Sequence, residues 1–143
     1  MPGPGFVHLH THSEYSLLDG AARLEAPRSN PSAPTIFSEA ARDGMSAIAV
    51  TDHGAMFGAL RFYEAARKTG VKPIMGVEAY VAPGSRFDRT PGESEEKYYH
   101  LTLLAENETG YRNPSDLSPS RTSKASTTGR GWTSSCSPNT PTA

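Results

Sequence analysis

The sequence has little of several features that mark particular classes of protein. Its one cysteine, Cys136, has no internal partner, so no disulfide can form within the chain, which fits a reducing compartment. No apolar run approaches the roughly 20 residues that a membrane-spanning helix needs. The first residues contain no basic segment followed by an apolar one, so we expect no secretory signal. These absences predict a cytoplasmic protein with no membrane partner.

The net charge is also small. A formal net charge of −1 excludes the broad basic field that coats nucleic acid non-specifically. The charges are unevenly spread, because residues 114–143 contain eight Ser, six Thr and four Pro but only three basic and one acidic side chain. Such a segment cannot bury enough apolar surface to offset its ordering entropy. We therefore predict one domain over residues 1–113, with a disordered, low-complexity tail over residues 114–143.

Strand and helix patterns alternate in the first 113 residues. The predicted strands are 6–10, 46–50, 72–82 and 98–106, and the predicted helices are 37–42 and 57–68, with Gly44 and Gly70 near their ends. This order predicts an α/β fold in which crossover helices connect parallel strands. The loops at 25–35, which is a proline-rich insert, and at 83–97 are assigned no chemistry.

Histidines and carboxylates gather at the predicted strand ends. The stretch "FVHLHTHSEYSLLDG", residues 6–20, places three of the five histidines at alternate positions, and alternate residues of a strand share a face. The full set comprises His8, His10, His12, Asp19, Asp52, His53, Glu78 and His100. In parallel α/β proteins, sites form where the carboxyl ends of strands meet.

This mixture of imidazole and carboxylate groups indicates a particular chemistry. Both are ligands for zinc, manganese and iron, so the set predicts a divalent metal site. Such ions convert bound water into a nucleophile and neutralise charge that develops on a phosphoryl group. The pattern therefore favours metal-dependent phosphoester chemistry.

Each residue taken alone is compatible with a structural role. An isolated H-x-H is a weak motif, Asp52 fits a turn or cap, and His100 fits a hydrogen-bonded core histidine. Tyr98 and Tyr99 are interpreted as packing residues. Glu78 is harder to explain, because a buried carboxylate without a partner is costly. The coincidence of five histidines and three carboxylates at strand ends favours the metal site.

Three strings carry a family resemblance, namely "HLHTHSEYSLLDGA", "AIAVTDHGAMFGALRFYEAARKTGVKPIMGVEAYVA" and "YHLTLLAENETGYRN". They resemble the N-terminal PHP (polymerase and histidinol phosphatase) domain of bacterial DNA polymerase III alpha subunits, the C-family replicative polymerases. "EAYVAPGSRFDRT" resembles the actinobacterial replicative form more than the error-prone paralogue. The resemblance covers most of residues 6–113, apart from the insert. It implies a distorted (β/α)7 barrel, here partial, with a cluster of up to three metal ions.

The resemblance also implies which residues bind the metal. The implied ligands are His10, His12, Asp19, His53, Glu78 and His100. His8 and Asp52 are weaker candidates, since His8 stands where many members have Asp or His and Asp52 only neighbours a ligand. An intact cluster resembles a metal-dependent phosphoesterase and can act as a 3′–5′ proofreading exonuclease, whereas some relatives keep the domain as a scaffold. No catalytic or nucleic-acid-binding residue is assigned.

Full-length members of the family extend primers on a DNA template with dNTPs, using Mg2+ in a palm that this chain lacks. Their partners are the sliding clamp and other polymerase III holoenzyme subunits. We therefore expect no polymerase activity here, and weak or absent exonuclease activity because half the barrel is missing. The alternatives are a stand-alone PHP phosphoesterase acting on a phosphomonoester such as histidinol phosphate, or a non-catalytic scaffold fragment.

The tail departs from the family after residue 113. No histidine follows His100, and Cys136 lies in a Ser/Thr-rich run. The stretch "SKASTTGRGWTSSCSPNTPT" can be encoded with G/C-ending codons, apart from one T-ending Ser and one T-ending Thr. Read one nucleotide earlier, this gives "LEGLYYGPRVDLELLAEHPDG", which resembles the family's continuation. We therefore predict a frameshift between Asn113 and Ser123; an uninterrupted, unshifted reading frame ending at Ala143 on resequencing would contradict it.

Overall fold

The structure is a computed structural model that describes residues 5–81 and 98–117, with 113–117 described as backbone only. The predicted loop at 83–97 and the tail beyond residue 117 lie outside the described residues. The elements in chain order are α1 (Ile36–Arg42), β1 (Ala47–Val50), α2 (Ala59–Ala66), β2 (Lys72–Val81), β3 (Tyr99–Leu104) and α3 (Glu108–Leu117). The predicted α/β class is confirmed, and five of these six elements lie where the sequence patterns place them.

The three strands form one sheet in the order β1-β2-β3. β1 and β2 are parallel, with Ala47 opposite Lys72 and Val50 opposite Met75, and α2 connects them as a crossover helix. β3 instead pairs antiparallel with β2, so the prediction of parallel strands is wrong for this element. Val81 lies opposite Tyr99, which means that the chain reverses between β2 and β3 rather than crossing over.

Residues 6–10 do not form the regular strand that their alternation predicts. The Ala49 N–H donates to the His8 carbonyl, and the Thr51 N–H donates to the Thr11 carbonyl, both at 2.8 Å. A regular parallel ladder would place the second bond on residue 10. The Thr11 N–H bonds instead to the Thr51 hydroxyl at 3.0 Å, and this side-chain contact shifts the pairing by one residue. The segment therefore runs beside β1 without continuous strand geometry.

Both predicted helices are present with glycines past their ends. α1 begins at a capping box, in which the Ser38 N–H donates to the Thr35 hydroxyl and the Thr35 N–H to the Ser38 hydroxyl. Gly44 and Gly70 follow α1 and α2 with φ of +73° and +76°, a conformation that glycine adopts without a steric penalty.

α3 extends past the predicted domain boundary. Its backbone continues from Glu108 through Pro114 to Leu117, so residues 114–117 are helical where the composition predicts coil. The boundary at residue 113 otherwise stays a prediction. Within the described ranges, no helix has the length and apolar character needed to cross a membrane.

The hydrophobic core lies between the two N-terminal helices and β1. Phe37 and Phe62 are fully buried, and their ring centroids lie 4.8 Å apart. All four residues of β1 are buried. This packing fixes the carboxyl end of β1, where the chain continues into Thr51, Asp52 and His53.

Candidate metal centre

The chain beyond β1 is held against β2. The Glu78 N–H donates to the Asp52 carbonyl at 3.0 Å, and the Gly54 N–H donates to the Glu78 carbonyl at 2.9 Å. These two bonds place His53 directly beside Glu78. Gly54 has a φ of +60°, and a Cβ at this position would lie 2.7 Å from the Tyr80 ring. Glycine therefore allows both the turn and the close approach of Tyr80.

A tight turn over residues 13–20 carries Asp19. The Ser16 N–H donates to the Ser13 carbonyl at 2.9 Å, and the Gly20 N–H donates to the Ser16 carbonyl at 2.7 Å. The turn is closed at its base by a 3.0 Å bond from the Glu14 N–H to the Ala22 carbonyl. Asp19 is thereby brought back toward the histidines that precede the turn.

Six side chains from these segments converge. They are His10, His12, Asp19, His53, Glu78 and His100. Their donor atoms form three overlapping groups in which all atoms lie within 4.8 Å of one another, namely His10–His12–Glu78, His12–Asp19–His53 and His53–Glu78–His100. We call these six residues the cluster. They are the same six that the resemblance implies as ligands, although their metal binding itself stays a prediction.

Glu78 lies at the centre of the cluster and is 4% exposed. Its Oε2 atom lies 2.5 Å from His12 Nε2 and 3.2 Å from His10 Nε2. Its Oε1 atom is hydrogen-bonded to His100 Nδ1. Because the two oxygens serve different histidines, this carboxylate connects two of the three groups.

Asp19 lies on the solvent side of the cluster and belongs to the third group, His12–Asp19–His53. Its Oδ2 atom lies 2.9 Å from His12 Nδ1 and 3.0 Å from His53 Nε2. His12 therefore faces a carboxylate with each of its ring nitrogens, Asp19 with Nδ1 and Glu78 with Nε2. This makes His12 a member of two groups at once.

The donor set fits a divalent cation. His10 Nε2 and His12 Nε2 lie 3.1 Å apart beside one carboxylate oxygen. Nitrogen ligands of a tetrahedral zinc lie roughly 3.3 Å apart, given Zn–N bonds of about 2.0–2.1 Å. Among the described residues, His53 Nδ1 is buried without a hydrogen-bond partner, and it lies 3.4 Å from Glu78 Oε2. A buried imidazole nitrogen without a hydrogen-bond partner, beside other donor atoms, fits a metal ligand.

The pKa values of the cluster reflect this mutual pairing. Burial lowers the pKa of His12, but hydrogen bonds and charge from Asp19 and Glu78 outweigh burial, so the net pKa is raised. The hydrogen bond with His53 is the main cause of the lowered pKa of Asp19. Burial raises the pKa of Glu78, yet contacts with the surrounding histidines leave it below its usual value. Both carboxylates are thus held ionised, which favours cation binding.

The structure places the two weaker candidates outside the cluster. The His8 ring contacts Phe6 edge-on, with a centroid separation of 4.7 Å, and belongs to none of the three groups. Of the three alternate histidines, only His10 and His12 therefore contribute to the cluster. Asp52 is buried, and its carboxylate accepts hydrogen bonds from Ser13 and Ser16 rather than facing the cluster.

Sequence reasoning did not find two neighbours of the cluster. Thr102 lies opposite Glu78 across the β2–β3 pair, and its hydroxyl is 2.6 Å from His10 Nδ1, where it orients the ring. Tyr80 lies parallel to the His53 ring at 6.1 Å and edge-on to the His100 ring at 5.1 Å. The sequence contains a signal for both residues. Thr102 follows His100, and Tyr80 follows Glu78, by two positions, and alternate residues of a strand lie on the same face.

Comparison with known proteins identifies relatives. The sequence profile of the PHP domain matches residues 8–132. DNA polymerase III subunit alpha of Saccharopolyspora erythraea is 47% identical over 137 residues, which cover 82% of this chain and 11% of the relative. The corresponding protein of Mycobacterium tuberculosis is 49% identical over 128 residues, covering 81% and 10%. That of Treponema pallidum is 52% identical over 108 residues, covering 76% and 8%.

The chain spans about a tenth of the length of these relatives. Among solved structures, an amidohydrolase from Chromobacterium violaceum, with bound sulfate and no metal, matches with a TM-score of 0.49 and 22% identity, covering 76% of this chain and 31% of that one. The profile match spans most of the chain and contains every residue of the cluster. The chain therefore belongs to the PHP domain family.

Proposed function

We propose that the chain is part of the PHP domain of a replicative DNA polymerase III alpha subunit and that its cluster binds divalent metal ions. The proposed ligands are His10, His12, Asp19, His53, Glu78 and His100. The observation that supports metal binding is the convergence of their donor atoms into three overlapping groups. Identities of 47–52% to proteins named DNA polymerase III subunit alpha support the assignment to that subunit.

The chemistry of the donors is compatible with zinc, manganese or iron. When bound, such an ion activates water and neutralises charge on a phosphoester. The residues of this chain would hold the ion and keep its ligands in place. Glu78 contacts His12 with one oxygen and His100 with the other, and the Thr102 hydroxyl orients the His10 ring. In the complete domain this site would act as a phosphoesterase, of which a 3′–5′ exonuclease is the form suited to DNA.

The proposal extends to the whole protein of which this chain would be a part. That protein would synthesise DNA from dNTPs on a template in the cytoplasm, with Mg2+ in a palm outside this chain. Its partners would be DNA, the sliding clamp and other holoenzyme subunits. The names of the relatives are the support for this part of the proposal.

Metal content tests the proposed site directly. The 143-residue chain would be loaded separately with Zn2+, Mn2+ and Fe2+ and desalted, and bound metal would then be counted by mass spectrometry. We expect at least one ion per chain for one of the three metals. We also expect chelation to lower the melting temperature, because a ligand that binds only the folded state stabilises it. Less than a tenth of an ion per chain for all three metals would contradict the proposal and favour the scaffold alternative.

Activity assays define what the chain can do alone. We expect no nucleotide incorporation and weak or no 3′–5′ degradation of single-stranded DNA by the metal-loaded chain. Strong degradation that is lost in a His10→Ala variant would show that these residues suffice, and would contradict the expected incompleteness. Turnover of a phosphomonoester would favour the stand-alone phosphoesterase alternative.

Metal affinity should increase with pH. The raised pKa of His12 means that its ion pairs with Asp19 and Glu78 are fully present below the ordinary imidazole value of 6.5 and are lost as pH rises through the higher, folded-state value. The lowered carboxyl pKa values keep both partners ionised throughout that range. Since a metal needs the neutral ring, affinity should rise by up to about tenfold per pH unit for each proton released while pH is below the raised pKa of His12, and should level off above it. Calorimetric titration in buffers of different ionisation enthalpy measures this release; a flat profile would count against His12 as a ligand.

A further inference from the structure

A buried polar network lies beside the cluster without being part of it. Asp52 is 4% exposed, and its Oδ1 atom accepts hydrogen bonds from the Ser13 N–H at 2.7 Å and the Ser16 hydroxyl at 2.8 Å. Its Oδ2 atom accepts from the Ser13 hydroxyl, also at 2.7 Å. Both serines are themselves buried. The carboxylate is therefore directed at the turn 13–20 and not at the metal ligands.

The same network also contacts the backbone of two metal-ligand candidates, His53 and Glu78. The Ser16 hydroxyl accepts a hydrogen bond from the His53 N–H at 3.2 Å. The Asp52 carbonyl accepts from the Glu78 N–H at 3.0 Å. Asp52 thus joins the turn that carries Asp19, the backbone of His53 and the backbone of Glu78, which belong to three separate segments of the chain.

Burying a carboxylate costs more free energy than burying a neutral group, so a buried carboxylate that closes a turn indicates that the position of the turn matters. Among the described residues, no cation pairs with Asp52, so neutral backbone and hydroxyl donors alone compensate its burial. Three short bonds from one turn to one carboxylate leave that turn little freedom. The distance between Asp19 and His53, 3.0 Å between Oδ2 and Nε2, depends on this arrangement because the turn carries one residue and the Ser16 contact fixes the other.

We propose that Asp52 is a positioning residue of the metal centre, which acts through Ser13 and Ser16 to hold Asp19 against His53 and does not bind metal itself. This inference rests on the proposed metal binding. It predicts a selective effect. The group His12–Asp19–His53 depends on the turn, whereas His10 is oriented by Thr102 on the opposite side of the cluster.

The experiment compares Asp52→Asn and Ser16→Ala with matched controls in the 143-residue chain, using Co2+ as a coloured probe. The controls are Asp43→Asn and Ser38→Ala, which remove the same groups at the exposed ends of α1. We expect the Asp52 and Ser16 variants to lose 10- to 100-fold in Co2+ affinity, the range found when partners of metal ligands are removed, and to change the visible absorption of the bound ion. Both controls should match the wild type in Co2+ affinity and in the visible absorption of the bound ion.

A double-mutant cycle separates positioning from general damage to the fold. The effect of Asp52→Asn should disappear in an Asp19→Ala background, which lacks the ligand held against His53, and persist in a His10→Ala background, because His10 is oriented by Thr102. Equal effects in both backgrounds, or unchanged affinity and absorption in the single variant, would overturn the inference. If Asp52→Asn does not fold, the same cycle with Ser16→Ala decides. A wild-type chain that binds no Co2+, Zn2+, Mn2+ or Fe2+ would instead remove the proposed function, and this inference with it.

Discussion

Replacing His12 with alanine is expected to cost the chain at least about 100-fold in metal affinity, more than the loss of a histidine that belongs to one group only. The reason is its double membership: Nδ1 faces Asp19 and Nε2 faces Glu78, so the variant breaks two of the three groups together. Removing the residues that merely orient metal ligands costs 10- to 100-fold, and a direct ligand to two groups should exceed that range. Competition titration with a chromophoric chelator measures the loss.

His8→Ala is the matched control for this prediction. His8 is the same residue type, four positions earlier on the same segment, but it lies outside all three groups. Its loss should leave metal affinity within about twofold of the wild type. His100→Ala should lie between the two variants, since His100 belongs to one group only. Equal losses for His8→Ala and His12→Ala would contradict the proposed ligand set.

The residue pattern alone places eight candidates at strand ends, and the resemblance to the PHP family selects the six of them that converge in the structure. His10 and His12 follow the alternation of an extended segment, and His53 and Glu78 lie beside each other because β1 and β2 are parallel neighbours. The two helices are equally predictable, since Gly44 and Gly70 each provide the positive φ that follows a helix end. These features depend on local patterns that a single sequence contains.

The features that the sequence did not predict depend on contacts between distant segments. The Thr51 hydroxyl accepts a hydrogen bond from the Thr11 N–H, and this contact between residues 40 positions apart accompanies the irregular pairing of residues 8–11 with β1. The direction of β3 depends on a chain reversal that its own residues do not encode. From the sequence, Asp52 fits a turn or cap residue and is a weaker candidate for a ligand; only the structure shows that Ser13 and Ser16 occupy its oxygens.

Gly20 is the residue whose enlargement should damage the turn 13–20 most. A Cβ at this position would lie 1.8 Å from the Ser13 carbonyl oxygen and 2.9 Å from the Ser16 Cβ. The Ser13 atoms are backbone and are held by the bond to Asp52, so they cannot rotate away as a flexible side chain would. The Gly20 N–H also donates to the Ser16 carbonyl at 2.7 Å, which fixes the approach. Any side chain here must open the turn.

Gly20→Ala is therefore expected to destabilise the metal-free chain by about 3 kcal/mol, the upper part of the usual range for overpacking. It should also weaken metal binding, because opening the turn moves Asp19 away from His12 and His53. Urea denaturation and Co2+ titration measure the two effects.

Gly44→Ala is a control that should lower stability without lowering metal affinity. Its φ of +73° predicts a loss of about 1–2 kcal/mol in the free energy of unfolding from backbone strain alone, with open space around the new Cβ and unchanged metal affinity. Gly5→Ala, which meets nothing within 4 Å, should change neither quantity. A Gly20→Ala chain as stable as Gly5→Ala would show that the turn tolerates opening, and that Asp19 is positioned by something other than its closure.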